Sequence, residues 1–410
     1  MIQNKNVLYI VPTDKHQYLN FFYNEIKKCV NSIYMFDFIE YSHQNGIKNT
    51  EKHVKDLITS KKIDIVFTTH YATDYQLSIE FYADLRKTVK IVFCAWDDES
   101  YFDVYGKYYG QVADAVITTD YYTMYGYMRM GIPGLLLMPI FSKEMFFPVE
   151  GEKDTEVCFI GGCTQRDRKE YIDFIIKNGI KIETYGNGSK HGFLEWNKFS
   201  EILSKSKIAL TFNKLDTLDW INKEEPLLNR VRQASFHYVE SALVKTFCLA
   251  EYSPGIFTIA EIGKEVDVFN SKEELLNKIR YYLSHDVERE NIAAAAYKRA
   301  IKEYVPEVAV PKLLAELDKT LYSGINKYVL SDEIYINESF KRKTINGLTF
   351  TMVVLIKNNK IGYAMEIFVK LFKYGVLVFI TGFIGGIGRI VQNMSTKIAD
   401  KLDRIRINGK

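Results

Sequence analysis

Val157-Cys-Phe-Ile160 runs directly into Gly161-Gly162-Cys-Thr-Gln-Arg166-Asp-Arg168, and a helical pattern follows to residue 178. A short β-branched and aromatic strand, a glycine turn and a helix form the opening unit of a doubly wound α/β domain. The glycines let backbone N–H groups approach an anion, and the arginines match the charge of a diphosphate. A Gly-Gly pair also reads simply as a tight turn.

Working outward, the same alternation fills residues 1–320. Apolar runs stand at Val7–Val11, Ile63–Phe67, Lys90–Cys94, Ala113–Ile117, Ile180–Thr184, Ile208–Phe212 and Thr246–Leu249, separated by helical stretches such as 18–30 and 51–60. Near-continuous apolar strands between helices predict parallel sheets covered on both faces. The alternation breaks at Met138-Pro-Ile-Phe-Ser-Lys-Glu-Met-Phe-Phe-Pro148 and the following Glu150-Gly-Glu-Lys-Asp154. Prolines and charge there predict a linker. The reading is a Rossmann-like N-terminal domain over 1–140, a linker over 141–155, a second Rossmann-like domain over 156–320 and a helical extension over 321–410. Two such sheets are expected to face a central cleft.

Strand ends aim side chains at ligands in these folds. In the first domain they are Thr68-Thr69-His70, Ala95-Trp96-Asp97-Asp98-Glu99 and Thr118-Thr119-Asp120. His70, Asp97 and Asp98 are the candidates for accepting an acceptor's proton or holding sugar hydroxyls. The same Asp and Thr residues also suit helix capping. In the second domain the glycine turn offers Gly161, Gly162, Arg166 and Arg168. The next strand ends in Tyr185-Gly186-Asn187-Gly188 and the third in Asn213.

The densest patch is Asn229-Arg-Val-Arg-Gln-Ala-Ser-Phe-His-Tyr-Val-Glu240, running on to Leu249-Ala-Glu-Tyr-Ser-Pro-Gly255. It reads as helix, strand and turn. Arg230 and Arg232 fall near the helix start. His237 and Glu240 are i, i+3 neighbours on one face. A carboxylate there could accept both ribose hydroxyls of a nucleotide. The plainer alternatives are a solvated arginine pair and a surface glutamate.

Bulk composition narrows the class. The chain has 410 residues, 47% of them hydrophobic and 26% charged, with 54 basic and 51 acidic side chains. That balance argues against a nucleic-acid partner, which calls for a basic excess. Cys29, Cys94, Cys158, Cys163 and Cys248 are scattered and odd in number, so they read as reduced, buried thiols. The run at Val7–Val11 is too short for a signal-peptide core, and the expectation is a cytoplasmic protein.

The C-terminal region differs. Residues 358–374 read as an amphipathic helix, followed by the uncharged Tyr374–Gly388 between Lys373 and Arg389. These 15 residues span only ~23 Å as helix, against a bilayer core of ~30 Å. Membrane-surface attachment through 361–391, a buried or dimerising helix with its Gly382/Gly386 pair, and a true span are the three readings. The first would place the protein at the inner face of the membrane.

With these pieces in order, the chain resembles the CgeB-like (spore maturation protein-like) glycosyltransferases, relatives of the group 1 GT-B enzymes. The residues are Phe236–Gly255, Glu261–Glu265, Ser271–Leu275, Lys278–Ser284 and Glu288–Ala293, with Phe159–Gly162, Arg166, Arg168 and Trp96-Asp97-Asp98 upstream. The resemblance covers roughly residues 90–305. It implies a GT-B fold, a nucleotide-diphosphate-sugar donor in the C-terminal domain and no obligatory metal. It places Glu240 where related enzymes bind ribose, and Glu251, Tyr252, Ser253 and Gly255 near the sugar and diphosphate. Where family members tend to carry Arg before Phe-Glu and then a small Gly-containing turn, this chain has His237, Val239-Glu240 and Val244-Lys245. Arg232 stands where related retaining enzymes carry a second glutamate, eight residues before Glu240.

The expected function is glycosyl transfer of the hexosyltransferase kind, to a glycan, lipid-linked glycan or protein acceptor. A non-catalytic nucleotide-sugar-binding protein and a nucleotide-sugar epimerase on the same shell are the alternatives. Asp97-Asp98-Glu99 also has the look of an Asp-x-Asp metal site, but a GT-A enzyme with that motif would not need the second domain.

Overall fold

The computed structural model describes residues 1–12, 17–69, 76–164, 167–214, 232–322 and 335–372, with residues 380, 384–385, 387–388 and 391. The chain forms two compact units, one of residues 1–119, 123–136 and 311–410, the other of 120–122 and 137–310.

The first unit is built on β1 (Asn6–Val11), α1 (Gln17–Cys29), β2 (Ser32–Asp37), α2 (Phe38–Asn45), α3 (Ile47–Ser60), β3 (Ile65–Thr69), α4 (Ile79–Leu85) and β4 (Lys90–Ala95). A broken segment follows, with α5 (Asp98–Tyr101), a π-helical turn over Phe102–Gly106 and α6 (Lys107–Gly110). Then come β5 (Ala115–Thr118), α7 (Tyr121–Arg129) and β6 (Gly134–Leu136). All six strands are parallel, in the order β2-β1-β3-β4-β5-β6. Val7 to Val11 are wholly buried, as expected of a strand covered on both faces. The third strand starts at Ile65 rather than Ile63, because Lys62 takes a left-handed φ of 51° in the turn that ends α3.

In the second unit, residues 137–154 form no helix or strand. They are nonetheless well packed, with Phe141 and Phe146 in its core. The regular elements are β7 (Thr155–Ile160), α8 (Arg168–Lys177), β8 (Ile182–Tyr185), α9 (Phe199–Ser204), β9 (Ser206–Thr211), α10 (His237–Leu243), β10 (Phe247–Glu251), β11 (Asp267–Phe269), α11 (Lys272–Ser284) and α12 (Asp286–Glu303). The strands are parallel, in the order β11-β10-β9-β7-β8. Successive side chains of β7 go to opposite faces: Cys158 joins the cluster around Tyr238 and Leu243, while Val157 and Phe159 join Leu249 and Leu275. Ser271 starts α11 by accepting from the Glu274 N–H at 3.1 Å, and Glu274 reaches back to the Asn270 N–H at 2.9 Å.

The chain then continues through α13 (Pro306–Tyr322) to α14 (Glu338–Lys357) and α15 (Ile361–Phe372). Phe340 of α14 lies against the rings of Tyr105, Tyr108 and Tyr109 in the first unit. Tyr363 of α15 covers Gly46, where an added Cβ would come within 2.8 Å of its ring.

The strand order reverses between β7 and β9, which is where ligands settle in such sheets. Two glycine turns are laced together beside that point. The Gly161 N–H donates to the Tyr185 carbonyl and the Cys163 N–H to the Asn187 carbonyl, both at 2.8 Å. Gly186 has φ +118°, and a Cβ there would lie 2.3 Å from the Gly161 carbonyl oxygen. Gly179 also has a positive φ, +87°, but open space around it. Gly186→Ala is therefore expected to destabilise the protein by about 2–4 kcal/mol, and Gly179→Ala by about 1–2 kcal/mol from backbone strain alone. Urea unfolding of the two variants checks the difference.

Candidate functional site

The C-terminal edge of the second sheet gathers most of the expected donor-site residues. Arg166 and Arg230 lie outside the described residues, as does His70 in the first unit. Arg168, at the start of α8, donates from Nη1 to the Gly162 carbonyl at 3.2 Å and sits 5.9 Å over the Phe159 ring. Its charge is thus held beside the glycine turn. Tyr185 closes the next turn, stacked on His191 at 4.7 Å.

Glu251 ends β10 with only 3% exposure. Its Oε2 accepts from the backbone N–H groups of Asn213 at 3.1 Å and Lys214 at 2.8 Å. Its Oε1 pairs with Arg232, and its carbonyl accepts from the Asn213 amide. Asn213 in turn accepts at its carbonyl from the Gln233 N–H at 2.7 Å and at Oδ1 from the Ser235 N–H at 3.2 Å. These bonds hold residues 232–235 at the strand end, so the helix starts at His237 and Arg232 stands before it, bridged to Lys214. Ser253 Oγ donates to the Arg232 carbonyl at 3.1 Å and accepts from the Gly255 N–H at 3.4 Å. Tyr252 is partly exposed and its N–H donates to the Phe269 carbonyl at 2.8 Å. Glu251, Asn213, Arg232, Ser253 and Gly255 are therefore one hydrogen-bonded unit.

Two members of this edge carry no mark in the sequence beyond their neighbours. Lys214 reaches Asp167 at 2.7 Å. Burial works against the ionised Asp167, but the Lys214 ammonium outweighs it and holds the carboxyl below its ordinary range. Lys214 directly follows Asn213 at a strand end, the signal that would have found it.

Glu240 is 4% exposed, in the first turn of α10 beside the buried Tyr238, Val239 and Leu243. A solvated surface charge it is not. Its Oε2 meets His237 Nδ1 at 2.7 Å, and His237 is its sole side-chain hydrogen-bond partner among the described residues. A buried carboxylate with acceptor capacity left over is costly unless a ligand or water completes it.

In the first unit Asp97 follows β4 in the left-handed region, with φ 50°. Asp98 is fully buried. Its carboxylate accepts from the Tyr127 hydroxyl and the Thr118 hydroxyl, both at 3.2 Å. This packing ties the broken α5–α6 segment to β5 and α7. A Cβ on Gly106 would lie 2.5 Å from Asp98 Oδ1.

Two parallel sheets with flanking helices make this the α/β fold of the GT-B glycosyltransferases, extended by C-terminal helices. Residues 167–315 match the family model described as glycosyl transferase-like. Among solved structures, the chain is similar to Anabaena HepE in complex with UDP and glucose, at 11% identity and TM-score 0.54, covering 77% of this chain and 99% of that one. It is also similar to a glycosyltransferase from Rickettsia africae, at 11% identity and TM-score 0.55, covering 78% and 100%. A third is sucrose-phosphate synthase from Thermosynechococcus elongatus, at 10% identity and TM-score 0.57, with the same coverage of 78% and 100%. No curated protein matches the chain. Identities this low establish a shared fold, not a shared substrate.

The His237–Glu240 pair gives a pH signature. The Glu240 carboxylate raises the imidazole above its ordinary 6.5, against the opposing effects of burial and Arg168. A raised folded-state value means the pair's stabilisation is complete below about pH 6.5 and fades as pH rises through that value. The His237 side chain is 45% exposed, so solvent limits the contribution to about 1 kcal/mol or less. His237→Gln should therefore melt lower than the parent protein at pH 5.5–6, with the gap closing by pH 9; calorimetry across that range checks it.

Proposed function

We propose that the protein is a glycosyltransferase that takes its sugar from a nucleotide-diphosphate-sugar bound at the C-terminal edge of the second sheet. The observation that carries this reading is Glu240: buried, held by His237, and set on the same strand-end edge as the glycine turns and Arg168. In this reading Glu240 accepts the ribose hydroxyls and His237 orients it. Gly161, Gly162 and Gly186 form the interlaced turns that the diphosphate meets, with Tyr185 beside them. Arg168, with Arg166 and Arg230 from the neighbouring sequence, meets the charge of the leaving diphosphate without an obligatory metal. Arg232, Asn213, Glu251, Ser253 and Gly255 shape the floor, and Tyr252 borders the sugar. The family match over residues 167–315 and the UDP complex of HepE support a nucleotide-sugar donor, with UDP the first base to test.

Transfer requires an acceptor hydroxyl to attack the anomeric carbon. The bond from that carbon to the diphosphate breaks, the diphosphate leaves with the electron pair, and the hydroxyl proton goes to a base. His70 and Asp97 are our candidates for that base. Asp98, whose oxygens are engaged by Tyr127 and Thr118, would act by holding Asp97 in place. The acceptor is a glycan, a lipid-linked glycan or a protein. The reaction is placed in the cytoplasm, at the inner face of the membrane.

One observation favours a second reading, binding without transfer. Arg232 stands at the position of the second glutamate of related retaining enzymes, and it is already paired with Glu251.

The test is a thermal-shift titration with UDP, GDP, TDP, CMP and ADP, with and without Mg²⁺. A ligand at a hundred times its Kd stabilises by about 2.7 kcal/mol. One nucleotide should raise the melting temperature with or without Mg²⁺, and Glu240→Ala should abolish the rise. No response to any nucleotide, or a response unchanged in Glu240→Ala, overturns the donor site. Saturable binding with no turnover of the matching nucleotide sugar selects the second reading.

A further inference from the structure

The helix α15 is apolar around far more of its circumference than the described residues cover. On α15, Ala364, Ile367 and Leu371 are buried. Ile361, Met365, Val369 and Phe372 recur at helical spacing on another face, each 49–58% exposed. The polar remainder is a narrow strip containing Gly362, Glu366 and Lys370.

The pattern repeats further along. Ile380, Ile384, Ile387 and Val391 are helical, again at helical spacing, and 42–65% exposed. Gly385, between them, faces α14: a Cβ on it would lie 3.0 Å from Asn346 Oδ1. This second stripe is therefore seated on the same helical layer. Since both stripes are exposed, neither covers the other.

Charge decides the occupant. From residue 353 to 393 the basic residues are Lys357, Lys360, Lys370, Lys373 and Arg389, against the single acid Glu366. Lys357 and Lys360 are exposed at the end of α14 and immediately before α15. Apolar stripes bordered by basic residues match a bilayer surface bearing acidic headgroups. A protein partner would have to supply an apolar groove and an acidic rim together. No helix among the described residues is long and apolar enough to cross a membrane.

We propose that α15 and the described helical residues after it lie in the surface of a bilayer containing acidic phospholipids, with Ile361, Met365 and Val369 and the second apolar stripe directed into the acyl boundary. The proposal is independent of the donor site. Joined to the transferase reading, it narrows the acceptor to one presented at a membrane, of which a lipid-linked glycan is the fitting class.

The test is flotation of the full chain with vesicles of phosphatidylcholine alone and of phosphatidylcholine with phosphatidylglycerol, at low and high salt. The protein should float with the acidic vesicles and less so at high salt. Met365→Glu with Val369→Glu should weaken that binding roughly tenfold or more. Both sites are exposed, and circular dichroism melting verifies that the variant folds. Ile384→Glu with Ile387→Glu tests the second stripe separately.

Absence of flotation with either vesicle overturns the proposal, as does flotation of both double variants undiminished from that of the parent protein. A solution dimer that binds no vesicle and becomes a monomer in the first variant also overturns it, assigning the stripe to a second copy of the chain. The nucleotide-induced thermal shift of the same variants separates the two proposals. Lost flotation with the shift retained concerns the membrane surface alone, and a missing shift in the parent protein concerns the donor site alone.

Discussion

A buried carboxylate at the end of β10 organises the edge on which the site depends. Glu251 is removed from water, so its charge demands donors from every direction. It receives two backbone N–H groups from the end of β9 and the guanidinium of Arg232. Those bonds hold the chain on both sides of residues 215–231 and set the point where α10 begins. Removing one member of such a pair leaves a buried charge uncompensated, a loss of about 3–5 kcal/mol. The glycine turns need no comparable ion. They are fixed by backbone bonds and by the absence of a Cβ at Gly186.

This organisation divides the carboxylates by role. Glu251 spends both oxygens on the protein, whereas Glu240 spends one on a half-exposed histidine. Burial is similar for the two, 3% and 4%. What distinguishes them chemically is the acceptor capacity left for a ligand. Asp98 in the first unit repeats the Glu251 pattern, with hydroxyl donors in place of a cation. A buried acid surrounded by donors serves the fold, and Asp98 does so by holding β5 and α7 to the segment that follows β4. Its exposed neighbour Asp97 stands on a left-handed backbone that a non-glycine residue takes at some cost.

Much of this was legible in the sequence, because the two sheets rest on periodicity. Val157–Ile160 and Val7–Val11 are apolar throughout, and only a strand covered on both sides tolerates that. The i, i+3 spacing of His237 and Glu240 likewise fixed their contact, since one helical turn brings them together. The start of α10 was not legible. The stretch from Asn229 reads as helix, yet long-range bonds from Asn213 and Glu251 hold residues 232–235 outside it, and local propensity carries no record of partners so far along the chain. Lys214 and Asp167 were missed for the same reason. The inward turn of Asp98 was hidden because its partners, Thr118 and Tyr127, lie on later elements.

The C-terminal helices pose the opposite problem, with an apolar face that the described residues leave exposed. Gly46 leaves room for Tyr363, α15 packs on α14, and Ile367 and Leu371 are buried, so one arc of α15 is satisfied within the chain. Burying a side chain the size of Ile361 or Val369 stabilises by about 1.5–3 kcal/mol. Ile361, Met365 and Val369, exposed on one face, therefore represent a large unrealised gain. Isolated exposed hydrophobics are ordinary on any protein surface, but a contiguous stripe is rare without a function. With one apolar arc spent on its own protein and a second held beside lysines, α15 has, among the described residues, the arrangement proposed above to meet an apolar boundary.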